Sequence, residues 1–175
     1  MDPNKAQSNH FDPGGNARMV DVTAKPITTR TATAKGDVVM RPETAEMIRG
    51  GTAKKGDVLT IARIAAISAT KLTPLLIPLC HGIAVEAVDV RFCFEPQKSS
   101  APHLAVRDGD SVTLCCEVDV RSSGKTGVEM EALTAVMAGC LTVFDMCKSI
   151  DRGMTIQGVR VVAKSGGASG DFFAP

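Results

Sequence analysis

Apolar residues recur with two different periods along this chain of 175 residues. Alternation with a period of two predicts four strands, over residues 27–40, 88–94, 112–120 and 154–163. Apolar positions three or four residues apart predict three helices, over residues 43–49, 58–71 and 124–148. The resulting order, β-α-α-β-β-α-β, predicts an α+β sandwich in which helices cover one face of an antiparallel sheet.

The segments outside these elements divide the chain into an arm and one domain. Residues 1–17 are polar and rich in Pro, Gly and Asn, so we expect a mobile amino-terminal arm. Residues 18–175 show no internal repeat, which predicts one domain, and the order of its elements is ferredoxin-like. Two prolines make residues 73–81 an irregular but buried connection. A short strand at 103–106 is expected within the polar excursion after the second strand.

The predicted helix at 124–148 carries its polar side chains on one side. At about 100° per residue, a sector of roughly 60° contains Glu131, Thr134, Thr142 and Asp145, with Lys148 one step beyond. Asp145 and Lys148 are therefore neighbours. Two interpretations remain open: the stripe is the solvated face of a largely buried helix, or it is a row of acid and base groups in a site.

Two further segments carry candidate chemistry. Asp57 is placed to cap the helix at 58–71, and Lys55 before it indicates either an anion site at a helix amino terminus or a solvated turn. Cys80 and His81 end the buried connection. Adjacent residues of an extended chain point to opposite sides, which argues against a nucleophile and its base, but such a histidine can bind phosphate or transfer a proton.

Glycine-rich segments at residues 122–127 (SSGKTG) and 164–167 (KSGG) border the predicted elements. A nucleotide-binding P-loop is excluded because Asp119 stands where that motif needs glycine. Lys125 is then either a solvent-facing lysine or a substrate contact. The glycines after Lys164 allow the backbone to approach a ligand closely.

Composition narrows the functional classes. A net charge of +1 and 3% aromatic residues argue against nucleic-acid binding, so any anion site must be a local cluster. No apolar leader is evident and no run of about 18 apolar residues could span a membrane, which predicts a cytoplasmic protein without membrane contact. The six cysteines lack zinc-site spacing and are expected to be reduced.

Several motifs, in order, resemble a known family. They are Met19–Val22 (MVDV), Lys55–Val58 (KGDV), Leu76–His81 (LIPLCH), Gly124–Leu133 (GKTGVEMEAL), Asp145–Lys148 (DMCK) and Lys164–Gly167 (KSGG). Together they resemble the cyclic pyranopterin monophosphate synthases, the MoaC family of molybdenum cofactor biosynthesis, over residues 9–173. Gly82 departs from the proline usual in that family, and the loop at 95–110 is expanded.

The resemblance implies a lyase that converts 3',8-cyclo-7,8-dihydro-GTP to cyclic pyranopterin monophosphate and pyrophosphate. Repeated proton transfers without redox change would suffice for this reaction. The resemblance implies catalytic roles for Asp145, Lys148 and Lys55. It places substrate contacts in five segments, at Arg18, Lys71, Leu79, Cys80, His81, Glu129, Met130, Glu131 and Lys164.

The resemblance also implies an active homohexamer, a trimer of dimers, with sites between subunits. No cofactor or metal ligand set is required, although Mg²⁺ can accompany the triphosphate. The broad apolar surface of the helix at 124–148 supports an oligomer independently, and we expect Asp145 of one subunit to be completed by Lys55 or Arg18 of another. The alternative is a ferredoxin-like regulatory module that binds a small ligand without catalysis.

Overall fold

The computed structural model describes residues 10–95, 111–167 and 170–174. In chain order its elements are β1 (Thr28–Met40), α1 (Pro42–Arg49), α2 (Val58–Thr70), α3 (Thr73–Leu76), β2 (Ala87–Glu95), β3 (Val112–Gly124), α4 (Glu129–Cys147), β4 (Thr155–Ser165) and β5 (Phe172–Phe173). The strand expected at 103–106 lies outside the described residues, as do the first nine residues of the expected arm.

The strands form one antiparallel sheet in the order β2-β3-β1-β4-β5. β1 lies at its centre and pairs with both β3 and β4. α4 packs across β1, β3 and β4, while α2 lies beside α4 and over β2. The predicted α+β sandwich of ferredoxin-like type, with helices on one face of an antiparallel sheet, is confirmed.

The core lies between this sheet and α4. Alternate residues of β1 are buried against the helix: Ala32, Ala34, Val38 and Met40. Gly36 continues the same row, and a Cβ atom there would lie 2.7 Å from Val136 Cγ1 and 2.9 Å from Val159 Cγ2. The helix therefore approaches the central strand more closely than a side chain at Gly36 would permit. Gly36 also lies within a register shift in the pairing of β1 with β4.

Several element boundaries differ from the prediction. β3 continues to Gly124, because β1 begins at Thr28 and supplies backbone partners as far as that glycine. α4 consequently begins at Glu129 rather than at residue 124. The connection at 73–81, predicted to be irregular and buried, contains the single helical turn α3, whose proline lies in its first turn, where a missing N–H costs nothing. The prediction of burial is wrong, because α3 lies at the surface with Leu75 80% and Leu76 61% exposed. The short strand β5 was not predicted.

Two carboxylates fix the starts of α1 and α2. The Asp57 carboxylate accepts a hydrogen bond from the Thr60 amide at 3.0 Å, so the predicted cap is confirmed. α1 has no side-chain cap of its own. Instead Asp151, which is 2% exposed, accepts a hydrogen bond from the Arg41 amide at 2.8 Å. This bond ties the segment after α4 to the start of α1.

α4 is unusually apolar for a helix of this length. By length and average composition it is apolar enough to cross a membrane, although Glu131 and Asp145 interrupt it and leave no unbroken apolar run of about 18 residues. Over half of it is buried in the protein, against the sheet and α2. Core helices of soluble proteins meet the same criterion, and this position accounts for its composition.

Candidate active site

Three predicted catalytic residues meet near the carboxyl end of α4, in what we call the carboxyl-end cluster: Lys55, Asp145 and Lys148. Lys148 Nζ lies 2.6 Å from Asp145 Oδ1, so the predicted neighbours are in contact. Lys55 Nζ lies 3.3 Å from Asp145 Oδ2 and 2.9 Å from the Asp145 carbonyl oxygen. The loop before α2 thus brings a second ammonium group to the same carboxylate.

The two lysines determine the charge state of Asp145. Hydrogen bonds first from Lys148 and then from Lys55 hold the pKa of the Asp145 carboxyl below its usual range. The side chain is 59% exposed, so a substrate can reach it. The cluster therefore presents an ionised carboxylate between two ammonium groups, which can accept and return protons on a bound molecule.

A second group of predicted residues surrounds the start of α4 and is called here the amino-end cluster: Cys80, His81, Glu129, Glu131 and Lys164. Glu131 is 1% exposed, and its Oε1 lies 4.0 Å from the Cys80 thiol, which donates. Oε2 of Glu131 has no hydrogen-bond partner among the described residues. Lys164 Nζ binds Glu129 Oε1 at 2.9 Å and thereby joins the end of β4 to the first turn of α4.

Burial shapes the proton chemistry of the amino-end cluster. It raises the pKa of the Glu131 carboxyl, and the nearby Glu129 carboxylate raises it further. Burial also raises the pKa of the Cys80 thiol, with the Glu131 carboxylate as a second cause. A thiol held neutral is a poor nucleophile, which agrees with the sequence argument against a Cys80–His81 pair.

A cavity of about 860 Å³ opens beside the amino-end cluster. It brings together six of the predicted substrate-binding residues: Leu79, Cys80, His81, Glu129, Met130 and Lys164. Segments far apart in sequence thus converge on one space large enough for a nucleotide-sized molecule. His10 and Phe11, in the last part of the expected arm, also line it.

The two clusters do not meet within one chain. Glu131 and Asp145 lie on the same side of α4 but fourteen residues apart, which at 1.5 Å per residue is about 21 Å. Lys55 contacts Asp145 in its own chain, so our expectation that Lys55 of another subunit completes this site is wrong. The physical reason is that α2 runs antiparallel to α4, which places the loop before α2 beside the end of α4.

Two predicted substrate residues stand apart from these spaces. Lys71 is exposed and follows the last residue of α2, and Arg18 is exposed and donates its amide to the His10 carbonyl at 2.9 Å. Neither lines the cavity beside the amino-end cluster. Their roles toward substrate stay predictions.

Sequence reasoning missed two basic residues and left a third open. Lys25, Arg30 and Lys125 line a second cavity, of about 540 Å³, that adjoins the first. The sequence did hold a signal for Arg30, because it is in phase with Ala32 and Ala34 on the buried side of β1. An arginine on the apolar side of a strand needs an acceptor or an anion as its partner, and this need is the signal that the sequence carries.

The fold and these clusters define an α+β protein with a nucleotide-sized cavity and two clusters of groups suited to proton transfer. The chain belongs to the MoaC family, whose family model matches residues 19–167. This match covers most of the chain and includes both clusters.

Three curated relatives that share one name, cyclic pyranopterin monophosphate synthase, are similar to nearly the whole chain. The cyclic pyranopterin monophosphate synthase of Pelotomaculum thermopropionicum is 49% identical over 163 residues, which cover 93% of this chain and 88% of the relative. The one from Rhodopirellula baltica is 48% identical over 169 residues, covering 95% and 93%. The one from Desulforamulus reducens is 49% identical over 163 residues, covering 93% and 91%.

Proposed function

We propose that this chain is a cyclic pyranopterin monophosphate synthase, a lyase of molybdenum cofactor biosynthesis that converts 3',8-cyclo-7,8-dihydro-GTP to cyclic pyranopterin monophosphate and pyrophosphate. The observation that carries the proposal is the 48–49% identity to three proteins of that name over 93–95% of the chain. The reaction opens and recloses a ring without redox change, so it needs groups that move protons.

The carboxyl-end cluster supplies the reacting groups in this proposal. Ionised Asp145 accepts a proton from the substrate ring, and the Lys148 ammonium group, 2.6 Å away, donates one. Proton exchange along this hydrogen bond allows the pair to act in successive steps. Lys55 holds the carboxylate in place through two hydrogen bonds and adds positive charge.

The amino-end cluster binds the substrate. His81 and the buried carboxyl of Glu131 provide hydrogen-bonding groups for ring nitrogen and oxygen atoms, and Leu79 and Met130 provide apolar walls. Because burial raises the pKa of Glu131, its carboxyl can donate as well as accept a hydrogen bond.

No cofactor is required in this scheme, since the reaction is redox-neutral. Mg²⁺ accompanying the triphosphate would take most of its ligands from phosphate oxygens and water, as is usual for this ion. A cytoplasmic location follows from the GTP-derived substrate.

The active form in this proposal is a homohexamer with shared sites. The reacting part of the substrate is one fused ring system, which cannot touch groups about 21 Å apart at the same time. Two subunits that face each other could bring the amino-end cluster of one to the carboxyl-end cluster of the other. An exposed apolar surface on the outer side of α2, α3 and α4 supports such a contact, with residues 45–80% exposed: Ile61, Ile64, Leu72, Leu75, Leu76, Met137 and Leu141.

The deciding experiment is incubation of the purified protein with the cyclised dihydro-GTP, followed by mass detection of the pterin and assay of pyrophosphate. We expect both products in equal amounts. Binding of the substrate without either product would favour the alternative, a ferredoxin-like module that binds a small ligand without catalysis.

A further inference from the structure

Three side chains form a straight row across the face of the sheet opposite α4. Cys93 of β2 lies directly opposite Cys115 of β3, and Cys115 lies directly opposite Asp37 of β1. The residues that flank each of them in sequence face the core under α4, so these three side chains point to the other side of the sheet. The row therefore places two thiols and one carboxyl group side by side, outside both clusters described above.

The two thiols are placed for a disulfide bond between neighbouring strands. Directly opposite residues of an antiparallel pair have Cα atoms about 4.5 or 5.5 Å apart, depending on whether they exchange backbone hydrogen bonds. A disulfide joins Cα atoms about 4.4–6.8 Å apart, so either case fits with little movement of the backbone. Both cysteines are free in this structure. Their oxidation would fasten β2, at the edge of the sheet, to β3.

The two thiols differ in exposure. Cys93 is exposed, so a small disulfide in solution can reach its sulfur. Cys115 is 8% exposed, and its neighbour across the strands reaches it more easily than a dissolved molecule does. Cys116, Cys140 and Cys147 are fully buried in the core, which keeps them from the same reaction. The fold thus favours attack by Cys93 first and by Cys115 second.

Asp37 is placed to take the proton of Cys115. Burial first, and then the Asp37 carboxylate, raise the pKa of the Cys115 thiol to about 12, so this thiol keeps its proton at neutral pH. The proton has to leave when the sulfur attacks, because the thiolate is the nucleophile. Burial raises the pKa of the Asp37 carboxyl, which makes it a stronger base, and it accepts a hydrogen bond from the Cys115 thiol. Lys35, Glu95 and Arg160 are charged groups that also act on this pair.

We infer that Cys93 and Cys115 form a modification site that reacts with small disulfides such as glutathione disulfide. Cys93 is the attacking thiol, Cys115 is the resolving thiol and Asp37 is the proton acceptor. The site lies on the face of the sheet opposite α4, so its reaction goes beyond the proposed function and is tested without any turnover.

The reaction has two thiol–disulfide exchange steps. The Cys93 thiol loses its proton to water, and its sulfur attacks glutathione disulfide to form a mixed disulfide and release one glutathione thiolate. Cys115 then gives its proton to Asp37 and attacks the Cys93 sulfur, which releases the second glutathione thiolate. Both released thiolates take up protons from water. Two protein thiols are oxidised to one disulfide, and one glutathione disulfide is reduced to two molecules of glutathione.

The test is incubation of the folded full chain with glutathione disulfide, followed by mass spectrometry of the intact protein and of its peptides. We expect the wild type to lose two hydrogen atoms and to give one cross-linked peptide pair, which joins Cys93 to Cys115. Dithiothreitol should restore the starting mass. Cys115→Ser should stop at the mixed disulfide on Cys93, and Cys93→Ser should give no disulfide at Cys115.

Asp37→Asn tests the proton acceptor. The mixed disulfide on Cys93 should accumulate and be resolved about tenfold or more slowly, because an amide does not take the thiol proton. The control is Asp89→Asn, which removes an exposed carboxylate from the same face of β2 and should resolve at the wild-type rate. Equal resolution rates in the two variants would remove Asp37 from the reaction. If Asp37→Asn does not fold, the trapped mixed disulfide in Cys115→Ser still decides whether the two thiols act together.

Three outcomes would overturn the inference: a wild type that stays fully reduced, a mixed disulfide on Cys93 that persists in the wild type, or cross-links that join other cysteines of the folded chain. The same incubation in urea is the control for the fold. There the cross-links should spread over the six cysteines, because the sheet no longer holds Cys93 opposite Cys115. The same single pair in urea would show that the sheet does not select it.

Discussion

Glu131 is the most costly side chain in the described core. Its carboxyl is 1% exposed, Oε2 has no hydrogen-bond partner among the described residues, and Oε1 accepts from the Cys80 thiol at 4.0 Å. Burial of a carboxyl group without full hydrogen bonding lowers the free energy of unfolding. Its neighbours Cys80, His81 and Met130 border the large cavity, so the cost falls where a ligand is expected to bind.

Glu131→Gln should stabilise the protein at neutral pH. Burial raises the pKa of Glu131 in the folded state, so between the usual carboxyl pKa and the raised one the folded protein holds a proton that the unfolded chain has released. The unfolding free energy therefore falls as pH rises through that window, and the amide variant escapes this loss. Thermal melting should be measured from pH 4 to 8. The variant and the wild type should melt at the same temperature at the acid end, and the variant should melt at increasingly higher temperature as pH rises. Each kcal/mol of added stability corresponds to about 2–4 °C in melting temperature.

Glu46→Gln is the matched control, because Glu46 is an exposed glutamate on α1, away from Glu131. It should give no stabilisation at any pH. A constant difference between Glu131→Gln and wild type across the pH range would show that the buried charge is not the cause.

Asp145→Asn and Lys148→Ala should each lower turnover by about 10²–10⁴-fold, because neither replacement transfers a proton. Both side chains are more than half exposed, so melting temperatures should stay close to that of the wild type. Product formation by mass spectrometry measures the rate. Near wild-type turnover in either variant would remove the carboxyl-end cluster from the mechanism.

At the scale of elements, the helical period predicted the polar stripe of α4 but not which loops contact each end of it. Periodicity gives the angle of a residue around the axis, so Glu131 and Asp145 were correctly placed on one side. The step of fourteen residues from one to the other also gives their separation along the axis, about 21 Å, which places them in different clusters. Which loop reaches which cluster depends on the direction of α2, and that is a property of packing rather than of the sequence pattern.

The sheet was predictable where alternation was regular and not at its ends. β1 was expected at 27–40 and spans Thr28–Met40. β3 exceeds its predicted end because its last residues, which are polar and small, gain backbone partners from β1. β5 has two residues and pairs with Ala163 and Lys164. Two residues are too few to show a hydrophobic period, so the sequence pattern could not predict this strand.

Gly36→Ala should destabilise the fold by about 1–3 kcal/mol, because the new methyl group would overlap Val136 and Val159. Urea unfolding measures this change through the midpoint. Gly82→Ala is the control: nothing lies within 4 Å of its added methyl group, so we expect a change within about 0.5 kcal/mol. Equal midpoints for the two variants would show that α4 is free to move away from β1.

At the scale of the whole molecule, the separation of the clusters gives a test of shared sites. Lys164→Ala damages the amino-end cluster and Lys148→Ala the carboxyl-end cluster. If one site uses one cluster from each of two subunits, mixed oligomers should contain some sites with both groups intact and regain part of the wild-type turnover. Lys55→Ala mixed with Asp145→Asn is the control and should regain none, because these residues share one cluster.

Light scattering on the same samples gives the assembly size, for which we expect six subunits. A fully active monomer would rule out shared sites. Recovery in the control mixture but not in the test mixture would mean that the clusters are divided between subunits differently from our proposal.

The central position of β1 has a consequence for how the chain is made. β1 is synthesised before both of its partners, since β3 ends at Gly124 and β4 at Ser165. At about 5–20 residues per second, the strand waits several seconds with both edges unpaired. Its buried row, with Val38 and Met40, is exposed during that time. We therefore expect the nascent chain to need shielding of β1 until β3 and β4 have been synthesised.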